Sequence, residues 1–297
     1  MPELPEVETI RLGLKKAIVG KTIAGVEIRV PKLFHGDKAD IIDKKIVDVN
    51  RRAKQIIIDV EGDNDMLIHL KMTGQLIYRP KHESGIMNNE LWKDQTAGGH
   101  PSKDWTAVLP NTTTHIIFEF SDGSKLFFND QRKFGWVKLL DKAELIEAQN
   151  NLGLDILSSN FTPKYLLTQL QTSSRPIKSV LLDQNKFAGI GNIYANDALF
   201  LSKIHPNFSS KKINLKKATL LHGLLIKIMT ESIKSGGSTA KDNKYVHPDG
   251  SSGTHQFSFQ VYQREKEPCL ICQTPIKKVK IGGRGTFYCP MCQKLII

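Results

Sequence analysis

The sequence predicts an α+β protein of more than one domain. It should have an N-terminal helix, a β-rich body, a helical stretch and a small metal-bound hairpin at the end. Three observations carry this. Apolar residues recur at helical spacing at the start of the chain and again from about residue 144. Between about residues 22 and 140 they fall instead into short β-type runs, and all four cysteines lie in two pairs near the C-terminus.

In the first helix, Pro5 can occupy the first turn, Val7, Ile10 and Leu14 share a face, and Gly20 can end it. Residues 26–30, 55–60, 66–70, 115–120, 125–129 and 136–140 then read as strands, with a hairpin turn at Ser121-Asp122-Gly123-Ser124. Many short strands in succession favour a sandwich or a barrel over a parallel sheet. Residues 81–114 are long, polar and aperiodic, and read as an elaborated surface loop between two strands, with a clamp on DNA or a partner as the alternative. Residues 144–235 read as helical. Asn214 is the N-cap of a helix whose Ala218, Leu221, Leu225 and Ile228 form one face, and Gly236-Gly237 stop it. A polar Gly- and Ser-containing loop follows over 238–254.

A chain of 297 residues fits two or three packed units, and 40% hydrophobic with 24% charged residues is ordinary for a globular enzyme. No apolar run approaches the ~20 residues that span a bilayer, and acidic Glu3, Glu6 and Glu8 stand where a signal peptide would be basic. A cytoplasmic protein with no membrane partner is expected. The formal charge of +12 calls for a polyanion, because each phosphate neutralised releases condensed counterions.

Cys269-x2-Cys272 and Cys289-x2-Cys292 can each offer two thiolates from a tight turn to one tetrahedral ion, and the interval between them suits a hairpin. Four thiolates leave no open position, so one structural zinc is expected. A unit this small cannot build a sufficient core and takes folding free energy from its metal. Residues 261–297 hold seven Lys and Arg against two Glu, with Lys277, Lys278, Lys280 and Arg284 between the cysteine pairs. Such a hairpin suits a nucleic-acid backbone.

The chain opens Met1-Pro2-Glu3-Leu4-Pro5-Glu6-Val7-Glu8-Thr9. Removal of Met1 would leave a secondary amine that titrates near ~8, partly neutral at physiological pH and able to form an iminium with a sugar carbon. Further blocks follow. They are Arg51-Arg52-Ala53-Lys54, His69-Leu70-Lys71-Met72-Thr73-Gly74, Asp130-Gln131-Arg132-Lys133-Phe134-Gly135, Gly189-Ile190-Gly191-Asn192-Ile193-Tyr194-Ala195 and Gly283-Arg284-Gly285-Thr286-Phe287-Tyr288-Cys289. In this order, over nearly the whole chain, they resemble formamidopyrimidine-DNA glycosylase, the bacterial enzyme that excises 8-oxoguanine and ring-opened purines.

The resemblance implies a β-sandwich over 1–142, a helix–two-turns–helix domain over 143–254 and a zinc ribbon over 255–297. It implies a DNA glycosylase with lyase activity, acting as a monomer on damaged double-stranded DNA. Pro2 would be the Schiff-base nucleophile, and Glu3 would assist proton transfer at the deoxyribose. Lys54 would reach the lesion site and Arg284 a phosphate. Met72, Arg132 and Phe134 match the trio that fills the space of an extruded nucleotide. His69, His115, Asn192, Tyr262 and Lys278 match backbone-contacting positions, and the 238–254 loop would close over the flipped base.

The chain also departs from the family pattern. A His-x-His reads Thr113-x-His115, a basic stretch before Pro176 reads Ser173-Ser174-Arg175, and Asp155 stands for a glutamate. These departures bear on phosphate affinity and partner positions, not on the chemistry. Two alternatives are an endonuclease VIII-type enzyme for oxidised pyrimidines and a non-catalytic DNA-binding member of the same fold.

Overall fold

The computed structural model describes residues 2–81, 96–99, 108–238 and 254–295. Two compact units emerge, one of residues 1–150 with 235–254, the other of residues 151–234 with 255–297.

The first unit begins with helix α1 (Leu4–Ile18), whose Val7, Ile10, Leu14 and Ile18 are buried at the expected helical spacing. The chain leaves it through Gly20 at φ +86°, a conformation glycine adopts without a steric penalty. Strands β1 (Ile23–Ile28) and β2 (Phe34–His35) precede the hairpin of β3 (Ile46–Arg52) and β4 (Gln55–Val60). Then come β5 (Asn64–His69), β6 (Gly74–Arg79), β7 (Thr96–Gly99), β8 (Thr114–Phe120), β9 (Lys125–Asp130) and β10 (Trp136–Asp141). They build two five-stranded sheets, ordered β1-β8-β9-β6-β7 and β2-β10-β5-β4-β3. Ile56, Ile58, Met66 and Ile68 of one sheet and Leu76, Ile116, Phe118 and Phe128 of the other join Ile10 and Leu14 of α1 in a single core. Of the two closures open to such strands, the chain takes the sandwich. A short helix α2 (Lys142–Asn150), with no buried residue, follows β10.

Strand β7 lies inside the segment read from sequence as loop. It pairs antiparallel with β6 from Gln75↔Gly99 to Tyr78↔Thr96. A Cβ on Gly99, at φ +133°, would lie 2.2 Å from the Gly74 carbonyl oxygen, so the pairing needs glycine there. The rest of that segment, residues 82–95 and 100–107, and the loop residues 239–253 lie outside the described residues.

One feature of the topology places the site. The chain passes from the second sheet to the first between β5 and β6, and returns between β9 and β10. Strand pairs set both crossings at one end of the sandwich, His69↔Trp136 in one sheet and Gly74↔Asp130 in the other. Residues 70–73 and 131–135 are therefore neighbouring loops.

The second unit is helical with small sheets. A two-residue parallel pair, β11 (Leu154–Asp155) with β12 (Phe187–Ala188), interrupts the stretch read as helical. Elements this short leave no periodicity in a sequence. Around them lie α3 (Pro163–Gln171, capped by Thr162), α4 (Ile177–Leu181), α5 (Asn192–Leu201) and α6 (Leu215–Lys234). Asn214 caps α6, its Oδ1 accepting from Lys217 N at 2.9 Å, and Ala218, Leu221, Leu225 and Ile228 are buried. Strands β13 (Lys277–Ile281) and β14 (Arg284–Tyr288) form the C-terminal hairpin. Among the described residues no helix is long and apolar enough to cross a membrane.

Candidate functional site

The start of the chain is built into the first unit. Pro2 and Glu3 are buried, and Glu3 is the residue before the first turn of α1. Its N–H donates to Glu6 Oε2 at 2.8 Å, satisfying one of the free donors at a helix start. The other Glu6 oxygen accepts from the Ser238 N–H at 2.9 Å and its hydroxyl at 3.1 Å. Gly237, at φ +82°, lets this approach happen, because a Cβ there would lie 3.0 Å from Glu6 Cγ. One carboxylate thus holds both the start of α1 and Ser238.

Lys54 lies in the β3–β4 turn, with its neighbour Ala53 at φ +55°, and is 7% exposed. Helix α1 and this hairpin are joined by ion pairs. Glu8 accepts from Arg11 at 2.7 Å and from Arg51 at 2.8 Å, and Arg51 also donates to the Ala53 carbonyl at 2.8 Å.

The neighbouring loops carry the expected trio. Met72 and Phe134 are 42% and 50% exposed, high for large apolar side chains. The Arg132 guanidinium donates to Met72 Sδ at 3.1 Å and lies 4.6 Å from the Phe134 ring centre, a cation–π contact. All three are brought together. Beneath them His69 Nδ1 accepts from the Lys71 N–H at 3.0 Å, which leaves the proton of a neutral ring on Nε2. Burial, with Lys71 and Lys54 adding repulsion, pushes the His69 imidazole down to about 3. His115 is buried, its Nε2 2.7 Å from the Asp130 carbonyl oxygen, so it braces the 131–135 loop from below.

In the second unit, Gln184 staples the turn before α5. Its amide donates to the Ile190 carbonyl at 2.9 Å and its oxygen accepts from Gly189 N at 3.1 Å. Asn192 opens α5 and donates to the Gly285 carbonyl at 3.1 Å. Lys178 is fully buried and donates to Gly285 O at 2.8 Å and Thr286 Oγ1 at 2.7 Å. Asn196 Oδ1 accepts from Phe287 N at 2.8 Å. The hairpin is tied to α4 and α5 just behind the exposed Arg284. Asp197 accepts from the N–H groups of Gln260 (3.0 Å), Val261 (3.0 Å) and Tyr262 (3.1 Å), fixing the strap on which Tyr262 sits. Its burial raises the carboxyl to about 6 in spite of those three donors. Lys278 is exposed on β13, 3.5 Å from Glu265.

The four cysteine sulfurs lie within 4.8 Å of one another, with Cys269–Cys292, Cys272–Cys289 and Cys272–Cys292 at 3.9, 3.4 and 3.5 Å. Zn–S bonds of about 2.3 Å place tetrahedral sulfurs about 3.8 Å apart, so the quartet fits zinc. Backbone N–H groups of Ile271 and Cys292 donate to the Cys269 and Cys289 sulfurs at 3.4 Å each, as thiolates require.

Sequence reasoning overlooked Glu6, Asp130, Lys178 and Asp197. A signal existed for two of them, since Lys178 and Asp197 are charges set within apolar helical runs.

Comparison with known proteins finds relatives that match over nearly the whole chain. Residues 1–137 match the formamidopyrimidine-DNA glycosylase N-terminal domain, 152–244 its H2TH domain, and 266–295 a zinc finger found in FPG and IleRS. A formamidopyrimidine-DNA glycosylase of Pelotomaculum thermopropionicum is 35% identical, with 99% of this chain and 100% of the relative covered. Lactococcus lactis Fpg, solved in complex with abasic site containing DNA, superposes with a TM-score of 0.83 at 30% identity, covering 99% of this chain and 100% of that one. MutM, solved with carbocyclic 8-oxo-G containing DNA, gives a TM-score of 0.81 at 32% identity, with 99% and 100% covered.

Proposed function

Because the chain belongs to the formamidopyrimidine-DNA glycosylase family, we propose that the Pro2 amine is its nucleophile and that one covalent intermediate serves both base removal and strand nicking. The protein is a base-excision repair DNA glycosylase acting on oxidised purines, and Cys269, Cys272, Cys289 and Cys292 form its structural zinc site. The observation that carries the catalytic reading is the packed start of α1, where Glu3 is buried next to Pro2 and its backbone is held by Glu6.

In this reading the neutral Pro2 nitrogen attacks C1′ of an extruded nucleotide as the glycosidic bond breaks, and the damaged base leaves with the proton that the amine gives up. Glu3 passes a proton to the ring oxygen as the sugar opens to an iminium. The iminium acidifies the C2′ proton; its removal expels the 3′-phosphate, and a second elimination expels the 5′-phosphate. This supplies AP lyase activity from the same adduct. Lys54 and Arg284 meet phosphate and lesion as cations, and His69 meets backbone as a neutral Nε2 donor. Asn192, Tyr262 and Lys278 add backbone contacts, whereas buried His115 acts through the loop above it. Met72, Arg132 and Phe134 fill the vacated stack.

We read residues 1–142, 143–254 and 255–297 as the catalytic, helix–two-turns–helix and ribbon domains of a monomer working on cytoplasmic, nucleoid DNA. Borohydride reduction in the presence of an 8-oxoguanine·cytosine duplex tests the chemistry. The expected result is a covalent adduct that mass spectrometry places on Pro2 and that Pro2→Gly abolishes. An adduct on another side chain, or stronger trapping on an oxidised pyrimidine, would count against it.

A further inference from the structure

We propose that Asp130 is a positioning residue that sets both trio-bearing loops in their insertion-ready arrangement before DNA arrives. The inference rests on reading Met72, Arg132 and Phe134 as the inserted residues. Asp130 ends β9 and is 1% exposed. Its Oδ1 accepts from the Thr73 hydroxyl and from the Arg132 N–H at 3.1 Å. Its Oδ2 accepts from the Phe134 and Gly135 N–H groups at 2.8 and 2.7 Å. Thr73 Oγ1 in turn accepts from the Arg132 N–H at 3.0 Å. One carboxylate therefore joins residues 70–73 to 131–135, loops that run between opposite sheets and share no strand.

Both loops contain a left-handed backbone position. Lys71, beside Met72, has φ +50°, and Lys133, between Arg132 and Phe134, has φ +55°, left-handed values disfavoured for side chains of this kind. A Cβ on Gly135 would meet Phe128 Cζ at 2.8 Å and Asp130 Oδ2 at 3.2 Å, so glycine is needed where the loop folds over the carboxylate. Asp130 itself is pinned through its backbone, its N–H donating to Thr113 O at 2.9 Å and its carbonyl facing His115 Nε2 at 2.7 Å. A carboxylate offers two acceptor oxygens for these donors, whereas an amide would turn an NH2 group toward a hydroxyl or an N–H.

The test separates insertion from chemistry. Asp130→Asn and Thr73→Val should slow single-turnover excision from an 8-oxoguanine·cytosine duplex roughly 10- to 100-fold. Both should delay the fluorescence rise of a 2-aminopurine placed beside the lesion, which reports unstacking. Borohydride trapping on a single-stranded abasic oligonucleotide needs no inserted plug and should stay within about twofold of the native chain. Thr73→Ser should restore duplex excision. Duplex excision within about twofold of native in both variants overturns the proposal, as does an equal loss on both substrates. Should Asp130→Asn fail to fold, Thr73→Val and its serine rescue decide. A native chain that traps nothing overturns the functional reading, and this inference with it.

Discussion

His69 illustrates how a single side chain is tuned. Its imidazole moves from the ordinary 6.5 down to about 3, first through burial and then through Lys71 and Lys54. The native ring stays neutral where the unfolded chain would bind a proton, so its contribution to stability is full above 6.5 and is lost as pH falls toward 3. Its NMR shifts should be flat from about pH 8 to about pH 4, and His69→Gln should flatten the acid limb of the stability curve by roughly 2–4 kcal/mol. A ring that titrates near 6 would show that burial does not hold it down, and one that titrates well above 7 would remove the neutral-donor role. The identities of Pro2, Met72, Arg132 and Phe134 as candidates were legible from their motifs. The role of Asp130 was not, because it is written in backbone N–H groups that converge only after two strand registers are set.

At the scale of elements, amphipathic patterns long enough to repeat were legible. Val7, Ile10 and Leu14 place α1, the Asn214 cap and its buried face place α6, and the cysteine spacing places the hairpin. β7 escaped because four residues ending in two glycines show no alternation, and its pairing is enforced by backbone approach. Asp197 left a trace as a charge within an apolar helical run, but its three backbone partners lie more than sixty residues further along the chain and were not legible. That residue makes α5 and the Tyr262 strap one element with a pH response. Its carboxyl rises from 3.8 to about 6, so the native state holds a proton that the unfolded chain releases. This contribution is full below about 4 and is lost as pH rises through about 6. Asp197→Asn should abolish that slope, worth roughly 2–3 kcal/mol, in melting curves taken between pH 4 and 7. Parallel curves for the two chains would show that the slope has another source.

Across the whole molecule, the excess of +12 predicts binding that weakens steeply with salt. Lys278→Ala should lower the slope of log affinity against log salt by about 1, for damaged and undamaged duplexes alike. An unchanged slope would take Lys278 out of the interface. Ser238, which donates to the Glu6 carboxylate, also forms an isolated antiparallel bridge with Thr254 inside the first unit. Loss of the Glu6 carboxylate would therefore be felt at two distant points of the sequence at once, the Glu3 backbone and the strand-like contact at Ser238.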